Sequence, residues 1–336
     1  MMLQAIWLTH STGSPISAST EIEASALTHF PVTVRVLYSS LNYKDALAIC
    51  GKAPVIRQFP LVPGIDMVGE VIASQLPNWA VGQQVVVTGW GIGEQYHGGL
   101  AEIFYAKPEW LMELPPQLSA IDAAVIGTAG LTAMLAVLQL EQQGITPERG
   151  PIAVSGASGG VGSFSTWILA KLGYEVVAIT GDCQATEYLV ETLGATSLSP
   201  RAEFSEPGKK LLAERWAGAI DCVGSHTLAN LLAATQRNGC VISCGMAQGL
   251  TLDTSVAPFI LRSVRLVGVD SVYCETAQRQ AAWQRFSTLL SEEALPIPYQ
   301  TIDLDQVIES AEKLLEGNNR GRTIVALAKP YSLPCQ

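Results

Sequence analysis

The sequence is poor in charge, and what charge it carries is mostly of one sign. Charged residues make up 15% of the 336, and 20 Lys and Arg stand against 30 Asp and Glu, a net charge of −10. A surface of that sign repels phosphodiester backbones and anionic lipids, which argues against nucleic acid and against a membrane as partners. One phosphorylated small molecule in a locally positive pocket stays open. No Cys-x-x-Cys pair occurs, and the seven cysteines (Cys50, Cys183, Cys222, Cys240, Cys244, Cys274 and Cys335) are odd in number and scattered. That excludes a disulfide framework and fits a reducing compartment. Met1-Met2-Leu3-Gln4 lacks the basic start and apolar run of a signal peptide. The uncharged stretch 123–140 is interrupted by Gly127-Thr128-Ala129-Gly130 and flanked by Asp122 and Glu141, where a membrane helix favours Lys or Arg. It reads as a buried helix in a cytoplasmic protein. His10, His29, His97 and His226 are dispersed with no carboxylate partner in sight, and none is assigned chemistry.

What is present is apolar bulk, 48% of residues, and 30 glycines without a Gly-X-Y period. A chain of this length is comfortable as two domains. The first part is short-stranded, with aliphatic runs at 3–8, 32–39, 62–73 and 84–88, and Pro and Gly punctuate it at Pro54, Pro60, Pro63, Gly64, Gly82, Gly89, Gly91 and Gly93. Its one helix is short, near 44–50, closed by Gly51. The reading is a barrel-like β region with long loops. After Pro115-Pro116 the rhythm changes. Helices at 130–143, 160–172, 186–193 and 228–236 alternate with strands at 151–155, 175–180, 217–222, 240–244 and 265–269. That alternation predicts βαβ units and a parallel sheet. The tail predicts two helices, 276–290 and 305–316, and a closing strand, 322–328. No repeat or long linker separates the two parts, so the expected site is a cleft between packed domains.

The run Ile152-Ala153-Val154-Ser155-Gly156-Ala157-Ser158-Gly159-Gly160-Val161-Gly162 ends a buried strand and opens a helix. A phosphate there meets free backbone N–H groups and the positive end of the helix dipole, and the missing Cβ atoms admit it closely. The loop, helix and second strand ending at Thr180 have the spacing of a dinucleotide site. An NAD site places Asp or Glu at that strand end to accept from the ribose hydroxyls. Here Thr180 stands there, which favours NADPH, while Asp182 pulls the other way. The Gly-x-Ser-x-Gly spacing of a nucleophile elbow is missing, because Gly159 directly follows Ser158, so a hydrolase is excluded.

With the glycine loop placed behind a β-rich part, the chain resembles the medium-chain dehydrogenase/reductase superfamily over nearly its whole length. The similarity is greatest to its zinc-free YhdH/YhfP-type quinone oxidoreductase group, which includes acrylyl-CoA reductases. The residues carrying it are Ser40-Leu41-Asn42-Tyr43-Lys44-Asp45-Ala46, Pro63-Gly64-Ile65-Asp66-Met67-Val68-Gly69, Trp216-Ala217-Gly218-Ala219-Ile220-Asp221, Gly268-Val269-Asp270-Ser271-Val272 and Gly321-Arg322-Thr323. The resemblance implies an α/β architecture. A GroES-like β-barrel catalytic domain would cover 1–122 and be completed by 296–336, and a Rossmann-type parallel-sheet NADP-binding domain would cover 123–295. Zinc members carry a His-Glu pair where Ile65 and Asp66 stand, and a Cys or Asp ligand where Asn42 stands. Isoleucine cannot bind zinc. Zinc members also carry a structural lobe with four closely spaced cysteines, which this chain lacks, so neither metal site is expected, and the remaining chemistry is hydride transfer to an activated double bond.

The implied reaction is zinc-independent, NADPH-dependent reduction of an α,β-unsaturated acyl thioester, with acrylyl-CoA the leading substrate. An enone or quinone at the same site is the alternative, and a nucleotide-binding protein without turnover is the rival of another class. Catalytic candidates are Tyr43, whose phenol can donate to a developing enolate; Asn42, whose amide can hold ribose, carboxamide or carbonyl; and Asp45, placed to orient Tyr43 or Lys44. A water donor in place of Tyr43 stays open, as do packing and capping roles for all three. Cofactor contacts implied by the family are Asn42, Thr128, Ser158, Gly159, Gly160, Val161, Gly162 and Thr180, then the backbone of Cys222-Val223 and Cys244-Gly245. Val269, Asp270 and Ser271 would close over the nicotinamide carboxamide, and Arg322 would neutralise the pyrophosphate. A homodimer is a further family expectation.

Overall fold

The computed structural model describes residues 1–11, 14–182, 184–291, 294–317 and 320–327; Cys183, Cys335 and Ala328 lie outside them. The chain divides into two compact units, Met1–Thr128 with Pro298–Gln336, and Ala129–Ile297. In chain order the first unit opens with β1 (Met2–Ser11), β2 (Ser14–Glu23), β3 (Val32–Leu41), α1 (Tyr43–Ile49), β4 (Asp66–Ser74), β5 (Gln84–Thr88), β6 (Ile103–Ala106) and β7 (Met112–Glu113). Helix α2 (Ala120–Gln142) begins in this unit and ends in the second. There follow β8 (Ile152–Ser155), α3 (Gly160–Lys171), β9 (Val176–Thr180), β10 (Ser197–Pro200), β11 (Trp216–Asp221), α4 (Ser225–Ala234), β12 (Thr235–Ser243), α5 (Ala257–Arg262), β13 (Arg265–Gly268) and α6 (Thr276–Leu289). The chain returns to the first unit as β14 (Tyr299–Asp303), α7 (Val307–Leu315) and β15 (Arg322–Ala326).

In the first unit β14-β15-β3-β4-β5-β7 hydrogen-bond in that order, β6 pairs with β3, and β1–β2 form a separate antiparallel hairpin. Strand β3 alternates in burial, with Val32, Val34 and Val36 inside, as a strand with one core-facing side must. The sequence reading missed the second hairpin strand, β6, β7 and β14, each short or polar enough to hide among turn residues. It also began β4 too early. Pro63 and Gly64 (φ +104°) precede the ladder, and a Cβ at Gly64 would meet Leu100 at 2.9 Å, so the chain bends there before pairing begins at Asp66.

The second unit is a six-stranded parallel sheet in the order β10-β9-β8-β11-β12-β13. Counted from β8 this is 3-2-1-4-5-6, the doubly wound dinucleotide-binding order. The central strands β8 and β11 are buried along their whole length, which is why they read as unbroken apolar runs rather than alternating ones. Their carboxyl ends, with those of β9 and β12, form one edge carrying Ser155, Thr180, Asp221 and Ser243. The helix expected at 186–193 runs over 186–192 and takes the π form over Tyr188–Thr192, while β10 and α5 were not foreseen.

Helix α2 starts at Ala120, not at Gly130, because Gly127 breaks it (φ 43°, ψ −151°) without ending it. It is long and apolar enough to cross a membrane by composition, yet 78% of its most apolar window is buried inside the protein. It is a core helix.

Candidate active site

The first cluster grows from the end of β3. Asn42 is extended (φ −106°, ψ 163°) and caps α1, and Asp45 on the first turn answers it. The Asp45 carboxylate accepts from the Asn42 backbone N–H at 2.8 Å and from Ile65 N–H at 3.0 Å. Its carboxylate makes no hydrogen bond to Tyr43 or to Lys44, whose ammonium pairs with Glu94. The expected orienting role is therefore corrected: Asp45 staples α1 to the segment entering β4. Burial pushes its carboxyl up to about 7, with the neighbouring Asp66 charge adding and the hydrogen bonds opposing.

Asp66, only 2% exposed, is the hub of the cluster. Its carboxylate accepts from Ser40 Oγ (2.8 Å), Asn42 Nδ2 (2.8 Å), Thr128 N–H (2.9 and 3.0 Å) and Thr128 Oγ1 (2.6 Å). The break at Gly127 makes this possible. In an unbroken helix Thr128 N–H would point at the carbonyl four residues back, whereas here it turns to Asp66. On the preceding turn the Val125 carbonyl accepts from Arg322 Nε at 3.0 Å. Arg322 is buried, its Nη2 lies 3.7 Å from Asp66 Oδ2, and desolvation pulls its pKa down against the raising influence of Asp66 and Asp45. The Asn42 amide nitrogen, which also reaches Ser40 O at 3.3 Å, is used inside the protein. Arg322 Nη2 faces Asp66 and makes no hydrogen bond among the described residues. Tyr43 is the contrast: it is 44% exposed, and its phenol has no hydrogen-bond partner among the described residues.

Ile65 is buried, and among the described residues no three His, Cys, Asp or Glu side chains gather into a metal-binding group. His97 is structural: its Nδ1 accepts from Val62 N–H at 3.2 Å, its ring stacks on Trp7, and burial lowers its pKa.

The second cluster lies along the carboxyl edge of the parallel sheet. After Ser155, Gly156 takes φ +59°, and Gly159 caps α3. A Cβ on Gly162 would sit 2.1 Å from the Gly156 carbonyl, so only glycine lets helix and loop close this tightly. The first turn of α3, Gly160–Gly162, therefore presents its N–H groups at the loop, as a phosphate cradle requires. Ser155 is internal: its Oγ donates to Asp221 Oδ1 at 2.6 Å and accepts from Cys222 N–H at 2.9 Å. Asp221 also receives Gly224 N–H at 2.8 Å, and burial raises its pKa against these bonds. Cys222-Val223 and Cys244-Gly245 follow β11 and β12 on the same edge. After β13, Asp270 Oδ1 caps Val272 N–H (2.8 Å), Thr132 Oγ1 donates to Ser271 Oγ (2.8 Å), and Arg279 Nη2 clamps the carbonyls of Ser271 and Val272. Val269-Asp270-Ser271 is thus a braced loop.

At the end of β9, Ser158 Oγ and Thr180 Oγ1 lie 3.1 Å apart. Asp182 donates its N–H to Thr180 Oγ1 (3.0 Å), while its carboxylate accepts from Gln184 N–H at 2.9 Å in a local turn. Beside them is a residue the sequence reading missed. A Cβ on Gly181 would meet the Arg201 guanidinium at 2.8 Å, so Arg201 lies against the Thr180-Gly181 backbone. The signal was a basic residue at the end of the third strand, and it was lost because β10 was not read as a strand.

The comparisons with known proteins agree with this architecture. Residues 30–116 match the alcohol dehydrogenase GroES-like domain family, and residues 160–291 match the zinc-binding dehydrogenase family. The chain is similar to the probable acrylyl-CoA reductase AcuI of Escherichia coli, at 47% identity over 96% of this chain and 99% of that protein. It superposes on the crystal structure of the yhdH oxidoreductase from Salmonella enterica in complex with NADP, with a TM-score of 0.92 and 46% identity over 97% of this chain and 100% of that one. The Bacillus subtilis protein yhfP with NAD bound gives a TM-score of 0.91 and 38% identity over the same shares. A GroES-like unit, a 3-2-1-4-5-6 sheet and identity this high over nearly the full length place the chain in the medium-chain dehydrogenase/reductase superfamily, as a member of its YhdH/YhfP-type oxidoreductase group.

Proposed function

We propose that the protein is a zinc-independent, NADPH-dependent reductase of α,β-unsaturated acyl thioesters, with the conversion of acrylyl-CoA to propionyl-CoA as its leading reaction. The observation that carries the chemistry is the saturation of Asp66 by protein donors beside the uncommitted phenol of Tyr43. No open carboxylate is left there to hold a metal, and a neutral donor is left to act on substrate. NADPH, when bound, supplies the hydride that adds to the β-carbon. The glycine loop and the first turn of α3 hold its pyrophosphate by backbone N–H groups. Ser158, Thr180 and Arg201 hold the 2′-phosphate: two hydroxyls donate, and the guanidinium offers a charge-assisted contact. The Asp182 carboxylate, which accepts from Gln184 N–H, keeps its charge and is the one group there that works against them. Tyr43 donates to the carbonyl oxygen as negative charge develops on it, and the α-carbon is protonated by that phenol or by water.

The kinship with AcuI favours the thioester. Reduction of an enone or quinone at the same site is the second reading, since the same donor suits any activated double bond. A turnover panel with NADPH tests all of these, comparing acrylyl-CoA, crotonyl-CoA, simple enones and a benzoquinone. Acrylyl-CoA is expected to lead. A quinone leading the panel would select the second reading, and NADPH binding without turnover of any compound would leave a nucleotide-binding protein. We assign the enzyme to the cytoplasm and to a homodimer. Leu250, Val256, Ile260 and Leu261, all exposed around α5 near the edge strand β13, give a second copy apolar surface to cover. Sedimentation at monomer mass would remove the dimer.

A further inference from the structure

Among the described residues five cysteines are free, and two of them touch: Cys222 Sγ and Cys244 Sγ are 3.9 Å apart. The contact follows from the sheet. Strands β11 and β12 are parallel neighbours with Asp221 opposite Ser243, and Cys244 N–H donates to Asp221 O at 2.9 Å, so the two cysteines sit side by side one residue beyond the ladder. Adjacent strands run about 4.8 Å apart, inside the roughly 4.4–6.8 Å Cα separation that a disulfide spans. Both residues are partly exposed, although the Cys222 sulfur itself is buried.

Their surroundings tie them to the glycine loop. Cys222 N–H donates to Ser155 Oγ, the residue that opens the loop. A Cβ built on Gly156 would lie 3.7 Å from Cys222 Cβ and 3.3 Å from Val223 Cγ2, so the loop rests on this pair of residues. Gly245 has no slack either, because a Cβ there would lie 2.1 Å from the Cys222 carbonyl. Displacement of Cys222 or Cys244 is passed to the loop.

We propose that Cys222 and Cys244 form a reversible oxidation site that couples hydroperoxides to cofactor binding. One thiol attacks the peroxide oxygen as its thiolate, becoming a sulfenic acid and releasing an alcohol, or water from hydrogen peroxide. The second thiol displaces that hydroxyl as water, and the Sγ–Sγ bond closes. Two thiols are oxidised by two electrons and the O–O bond is reduced. Closure takes the sulfurs from 3.9 Å to about 2.05 Å, and the strand ends that carry them move against Ser155, Gly156 and Gly245. The hydrogen bond shared with Cys244, and then burial, hold the Cys222 thiol well above its ordinary range. Cys222 is therefore a slow attacking thiol at neutral pH, and its attack quickens as pH rises and its thiolate fraction grows.

This goes beyond the reductase reading and rests on it only where NADPH serves as the probe. The reduced protein is treated with a small excess of hydrogen peroxide, then examined by intact mass, peptide mapping and NADPH fluorescence titration. The expected result is the loss of two hydrogens, a linked peptide joining Cys222 to Cys244, and NADPH binding weakened by about tenfold or more, all reversed by dithiothreitol. Cys222→Ser and Cys244→Ser, each nearly isosteric, are expected to show one and the same NADPH affinity before and after peroxide, whatever that affinity is. Oxygen addition instead of hydrogen loss, linkage through other cysteines, or a linked pair with binding unchanged within about twofold overturns the proposal. If the reduced protein binds no NADPH, the cofactor reading falls. Amide exchange across 155–162 then decides the switch: faster exchange after oxidation supports it, and equal exchange overturns it.

Discussion

Gly127 stands where any side chain would collide with Asp66: a Cβ there would lie 2.5 Å from Asp66 Oδ2 and 2.9 Å from Ser40 Oγ. This one glycine, at φ +43° inside a long apolar helix, turns Thr128 N–H onto a buried carboxylate. The hub around Asp66 depends on it.

Gly127→Ala therefore combines a left-handed backbone with a contact that cannot relax cheaply. A loss of about 2–4 kcal/mol is expected, read as a lower urea midpoint. Thr128→Val, which removes the Oγ1 bond to Asp66 and keeps the backbone one, should cost about half of that or less. Equal stability of Gly127→Ala and the parent would show that the helix break is incidental.

Asp45 makes stability depend on pH in a direction opposite to that of a surface carboxylate. Its pKa lies at about 7 in the folded protein against 3.8 as a free side chain, so the native state binds the extra proton between those values. Stability from this group is greatest below about pH 4 and falls as pH rises towards 7, by at most about 1.4 kcal/mol per unit. Urea midpoints from pH 4.5 to 7.5, compared between the parent and Asp45→Asn, isolate the effect. The expected outcome is a flatter profile for the variant, and parallel profiles would remove the assignment.

Arg201→Gln leaves the glycine loop intact and removes the only charge we place at the 2′-phosphate. KM for NADPH should rise by roughly ten- to a hundredfold while KM for NADH stays put, and the parent should favour NADPH by about tenfold or more. Paired kinetics with both cofactors give the answer. A parent indifferent between them would mean that Asp182 governs the choice, and Asp182→Arg should then restore the NADPH preference.

Tyr43→Phe tests the donor. If the phenol bonds the developing enolate, the interaction is stronger in the transition state than in the ground state, and kcat drops roughly ten- to a thousandfold with cofactor affinity little changed. With 44% of the side chain exposed, the melting temperature should hardly move. A kcat within about threefold of the parent assigns the proton to water and retires Tyr43.

Much of this protein was legible in its residues. The glycine run after a buried strand, the alternation of apolar runs with helical stretches, and Ile65-Asp66 in place of a zinc pair depend on local spacing and side-chain chemistry, and these survive folding unchanged. The partners of buried polar groups did not show. Asn42 and Arg322 read as groups facing a ligand and Asp45 as one orienting Tyr43 or Lys44, yet each also meets a carboxylate or a backbone group distant in sequence: Asp66 lies 24 residues from Asn42, Ile65 lies 20 from Asp45, and Val125 lies 197 from Arg322. A buried donor takes whatever acceptor the fold brings to it, because leaving it unpaired costs about 1–3 kcal/mol. Arg201 was hidden for the same reason, since its place beside Gly181 exists only once β10 lies next to β9. Composition and spacing determined the class of chemistry; the pairing of strands and the break at Gly127 decided which side chains remain free to perform it.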